Sequence, residues 1–215
     1  MPLAPESGKD AEELLKAAND AAGHARILYA TLMLFLLYCA ITAASVTDEQ
    51  LFRNGPIAIP LLAEAKVPVS VFFLIGPWFA LTLHLVVLLQ FHGLAEKVRS
   101  FDLSAERLLP KGREHLRQCF AGLPFLAWLS SPASLPHWVR TLYGVIAYIT
   151  LVLAPLCVLL LMQLIFLKYQ SVEITWMQRL AIATDCIFIW LFWPLLIPRK
   201  LGSGPINSLF KPMQL

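Results

Sequence analysis

Residues 67–91 read VPVSVFFLIGPWFALTLHLVVLLQF, 25 positions without one charged side chain. As an α-helix this stretch is roughly 37 Å long, enough to cross the ~30 Å hydrocarbon core of a bilayer. Its apolar residues fall on every side of such a helix, so no face is left for water. Lipid also offers no partner to a backbone N–H or C=O, which makes the helix the one conformation that satisfies the segment internally.

Three further stretches have the same character: residues 27–46, 141–167 and 176–197. The composition agrees. Of 215 residues, 58% are hydrophobic and 14% charged, against about 25% charged in an average soluble domain. The expected fold class is therefore all-α, a polytopic membrane protein with four transmembrane helices. Residues 1–26 form a segment before the first span, 92–140 the large middle loop and 198–215 a tail. The first span is expected to be retained rather than cleaved. It follows some 26 mostly polar residues that include Asp10, Glu12, Glu13 and Asp20, unlike the short basic start of a signal peptide.

Lysine and arginine near the span ends predict orientation. Thirteen of the 17 lie in the N-terminal segment, the middle loop and the tail, and only Arg53, Lys66, Lys168 and Arg179 lie on the other side. The expected topology is N-in, C-in. Residues 1–8 are expected to be disordered, and Lys9 to His24 to form a helix with its acids early, where the helix dipole favours them. In the middle loop, Leu116, Phe120 and Leu123, then Phe125, Leu126, Trp128 and Leu129, suggest an interfacial helix rather than a fifth span. In the outer loop, Asn54-Gly55-Pro56 is a turn signal. The apolar Ile57–Leu62 piece after it is expected to pack on the helix ends.

The candidate site residues are the polar ones inside the spans. Asp185 lies about 14 Å below the outer end when counted from Trp176, and a carboxyl in hydrocarbon costs roughly 2.5–3.5 kcal/mol. It is expected to face other helices. Tyr38 and the Gly76-Pro77 break come out at a similar depth. Pro77 has no N–H, so the Phe73 carbonyl is predicted to lack its helical donor, and a protonated Asp185 could donate to it or to Tyr38. His84, counted at about 25 Å, reads as a satisfied histidine near the inner interface. Pro155 reads as a kink in the third span. Asp185 has two readings, a proton- or ion-responsive site or a polar contact that glues helices.

Cys39, Cys157 and Cys186 fall inside spans and Cys119 in the middle loop, with no CxxC pair. Neither a disulfide framework, a zinc site nor any cofactor is suggested. A net charge of +3 without a basic stripe argues against a nucleic-acid partner. HExxH, GxSxG, P-loop and paired acidic motifs are all missing, so an enzyme, for instance one acting on lipids, is not expected. The leading expectation is a non-enzymatic anchor or scaffold that holds protein partners through the cytoplasmic loop. The alternative is a small oligomeric channel, pore-forming effector or transport component using Asp185.

Thr47-Asp48-Glu49-Gln50-Leu51-Phe52, Ile59-Pro60-Leu61-Leu62, Val67-Pro68, Phe72-Phe73, Gly76-Pro77 and Leu83-His84-Leu85 together resemble the four-helix membrane domain found ahead of pentapeptide repeats in some bacterial proteins. Leu109–Arg113 and the last two spans are similar in placement. No pentapeptide repeats follow the last span here. The resemblance implies a bacterial inner-membrane setting and no particular activity.

Overall fold

The computed structural model describes residues 4–58, 66–105, 137–169 and 171–196. The elements, in order, are α1 (Ala4–Ser45), α2 (Asp48–Phe52), β1 (Pro56–Ala58), β2 (Lys66–Pro68), α3 (Val69–Ala105) and α4 (His137–Tyr148). A π-helical segment, Ile149–Leu153, joins α4 to α5 (Ala154–Phe166). A 3₁₀ turn, Leu167–Tyr169, then leads to α6 (Val172–Leu196). Four helical stretches are long and apolar enough to cross a membrane: Asp20–Ser45, Val69–Glu96, Thr141–Tyr169 and Val172–Pro194. All four expected spans are present, with shifted ends.

One expectation needs correcting. Residues 4–8 are helical, because Pro5 sits in the first turn of α1, where no N–H is required of it. The helix expected from Lys9 to His24 runs straight into the first span as one element. Between the first two spans Pro56, Ile57 and Ala58 pair antiparallel with Pro68, Val67 and Lys66, a short addition to an otherwise helical architecture. The interfacial helix expected around Leu116–Leu129 and most of the Ile57–Leu62 piece lie outside the described residues.

Contacts group the chain into two compact units, one of Arg26–Leu88 with Ile146–Ile189 and the other of Met1–Ala25, Leu89–Val145 and Trp190–Leu215. The first unit holds a core of Cys39, Ala43, Leu51, Ile57, Val69, Phe72, Phe73, Met162 and Phe166. On α1, Leu32, Leu36, Cys39 and Ala43 are buried while Leu34, Leu37 and Ile41 are exposed. Spacings of four, three and four select one face of a helix. Exposing the opposite face to water would cost roughly 1.5–3 kcal/mol per large side chain, and lipid removes that cost. Gly76 lets α3 come close to α5, since a Cβ there would stand 2.9 Å from Met162 Cε. In the second unit, the His92 ring packs edge-on to Phe192 at 6.2 Å between centroids.

The segment between the first two spans closes on itself. Thr47 and Gln50 form a reciprocal capping box on α2, and Lys168 Nζ reaches Asp48 Oδ1 at 2.9 Å. Asn54 adopts a left-handed φ of 49°. Its Oδ1 accepts the Ser70 N–H at 3.0 Å, so it caps α3 from across the hairpin. Asn54→Ala should cost about 1–2 kcal/mol through backbone strain and the lost cap. The check is a fall in Tm of roughly 2–8 °C in detergent, with Asn54→Gly losing only the cap and falling less.

Candidate functional site: a buried histidine–aspartate couple

Pro155 is the second residue of α5. Because it has no N–H, the carbonyl four residues before it, that of Leu151, has no α-helical donor. Leu151 belongs to the π segment Ile149–Leu153, where the Ala154 N–H reaches back five residues to the Ile149 carbonyl. His84 of α3 supplies a donor to the Leu151 carbonyl, with Nε2 2.9 Å from the oxygen. The other ring nitrogen, Nδ1, lies 2.6 Å from Asp185 Oδ1 of α6. His84 is 1% exposed and Asp185 0%, so three helical segments meet in one dry contact.

The hydrogen inventory follows from the acceptors. A carbonyl oxygen can only accept, so His84 Nε2 carries a hydrogen. The 2.6 Å contact needs a second one, either on Nδ1 facing a carboxylate or on Oδ1 facing a ring lone pair. In both arrangements the couple holds two hydrogens and is neutral overall, as burial in a low dielectric demands. Asp185 Oδ2 is buried with no hydrogen-bond partner among the described residues. No other charged side chain described in the structure is buried.

The Gly76-Pro77 break repeats the pattern. Pro77 orphans the Phe73 carbonyl as predicted, but its donor is neither Asp185 nor Tyr38. Gln178 Nε2, on α6, donates to it at 2.9 Å. Gln178 is 2% exposed, and its Oε1 has no partner among the described residues. Tyr38 OH is likewise buried and unpartnered, while its ring packs edge-on against Phe72 at 6.3 Å between centroids. Tyr38 thus belongs to the aromatic packing of the core and is not joined to Asp185.

Counted from Trp176 and Val67, Asp185 and His84 differ in depth by about 11 Å, with His84 near an interface. The helix ends explain the difference. α6 begins at Val172, four residues before Trp176, which puts Asp185 roughly 20 Å from its start, and His84 lies roughly 22 Å from the start of α3 at Val69. The two residues are therefore level. Gln178 carried a signal that sequence reading passed over: it lies seven positions before Asp185, on the same face of the helix. Among the described residues no group of three His, Cys, Asp or Glu side chains could hold a metal ion. The contacts at the site are hydrogen bonds that hold one shared proton. No protein-family model, curated protein or solved structure matches the chain.

Proposed function

We propose that the chain is a multi-pass protein of a bacterial inner membrane, with both termini cytoplasmic, that acts as a proton-responsive transport or pore component rather than as an enzyme. The observation that carries this reading is the His84–Asp185 contact, 2.6 Å long and buried. Ionisable groups are rare in spanning helices because of their cost, and they mark ion or proton sites by default. A couple that shares one proton exchanges a neutral state for a charged one when that proton leaves, and few other intramembrane groupings can do this. The excess of Lys and Arg in residues 1–26, 92–140 and 198–215 supports the orientation.

The test is induced expression in a bacterial host with membrane potential followed by a voltage-sensitive dye. Wild type should depolarise the cells. Asp185→Asn keeps a donor to His84 Nδ1 but cannot ionise, and should abolish the effect at equal membrane abundance. Full activity in Asp185→Asn would rule out the proton site.

A second reading rests on Gln178, which caps a proline-freed carbonyl with no titratable group at all. Read the same way, His84 and Asp185 only pin helices, and the chain is an anchor or scaffold for partners bound at residues 92–140. Intact protein in the membrane with no depolarisation from wild type or variant is the outcome that favours it.

A further inference from the structure

The couple's two contacts require two hydrogens, one on His84 Nε2 for the Leu151 carbonyl and one shared between Nδ1 and Asp185 Oδ1. When the shared proton leaves to water, one hydrogen remains for two contacts. If it stays on Nε2, the Nδ1 lone pair faces a carboxylate at 2.6 Å. If it moves to Nδ1, it makes a charge-assisted bond to Oδ1, about twice as strong as a neutral one, and the Nε2 lone pair faces the Leu151 oxygen at 2.9 Å. The second arrangement wins, and two acceptors in contact then separate. The Leu151 carbonyl cannot fall back on an α-helical bond, because Pro155 offers no N–H.

We propose that the shared proton is a latch on the third span: its loss turns His84 from the Nε2–H to the Nδ1–H tautomer and releases the Leu151 carbonyl, unlocking the π segment Ile149–Leu153. This deepens the proton-responsive reading and rests on it. The neighbouring groups leave the couple in control. The other titratable side chains of this unit's spans are Tyr29, Tyr38 and Cys39 on α1, Tyr148 on α4, Cys157 on α5 and Cys186 on α6, with Tyr169 on the turn before α6. The charged ones among the described residues, Arg26, Glu173, Arg179, Asp48, Glu49, Arg53, Lys66 and Lys168, are all exposed. None offers a buried counter-charge.

Leu-Val pairs occur only at 85–86 and 151–152. The full chain, labelled with [1-¹³C]leucine and [¹⁵N]valine, therefore gives two carbonyl signals in a bilayer, and Val152→Ile removes the one from Leu151. A second sample with ¹⁵N-histidine reports the His84 tautomer, assigned with His84→Gln. As pH rises, His84 should change from Nε2–H to Nδ1–H and the Leu151 carbonyl should shift upfield with the same midpoint, while Leu85 stays fixed. In Pro155→Ala the carbonyl regains a helical N–H, and its shift should vanish while the tautomer change persists. A tautomer change with a stationary Leu151 signal would overturn the latch and leave proton binding intact. No titration of His84 at any pH would overturn both.

Discussion

Leucine in place of His84 should destabilise the protein by about 3–5 kcal/mol, the range found when one partner of a buried pair is removed. An ordinary hydrogen bond between membrane helices averages only about 0.6 kcal/mol and reaches about 1.7. The larger figure is expected here because one substitution strands two groups. Asp185 is left buried with nothing to share its proton, and the Leu151 carbonyl, which Pro155 deprives of its α-helical donor, loses the hydrogen bond from His84. Asp185→Leu should cost less, since His84 can still donate to Leu151 through Nε2. The double replacement should cost far less than the sum, because apolar side chains of similar volume substitute for a buried pair at little penalty. Its remaining cost, that of an orphaned carbonyl, is about 1–3 kcal/mol, and Pro155→Ala should recover it. Thermal unfolding of wild type, the two single variants and the double variant in one detergent supplies the double-mutant cycle. Additive costs would show that the two side chains do not act together.

Gln178→Leu is the second large effect. It takes the donor from the Phe73 carbonyl, which Pro77 has already cut off from its helix, and should cost about 1–3 kcal/mol. The diagnostic is the background. With Pro77→Ala, residue 77 regains an N–H that can bond to the Phe73 carbonyl, so Gln178→Leu should then cost under about 1 kcal/mol. An equal loss in both backgrounds would mean that Gln178 stabilises by packing alone.

These two sites show where sequence reading succeeds and where it stops. The spans were legible because lipid imposes a length and an apolar composition that few other settings tolerate. The orphaned Phe73 carbonyl was legible too, because a proline removes one hydrogen bond at a fixed offset. The same offset applied to Pro155 points to Leu151, yet Pro155 read only as a kink. What could not be read was the identity of the donors. Gln178 and His84 reach their carbonyls across 105 and 67 residues of chain, and nothing local records which helix faces meet. An error of one turn at the start of α6, Trp176 in place of Val172, was enough to pull Asp185 and His84 apart by several ångströms. Tyr38 failed for the converse reason: similar depth does not bring side chains together.

The π segment carries one residue more than the pitch of an α-helix requires. Elsewhere in a spanning helix, dropping one residue rotates everything beyond it by about 100° and turns its buried face toward lipid. Between Ile149 and Leu153 the surplus residue can be dropped and the turn recast as ordinary α-helix. Leu159, Met162 and Phe166 then keep their buried face. The third span is thus tolerant of a change in length at the one turn where His84 grips it, and intolerant above and below.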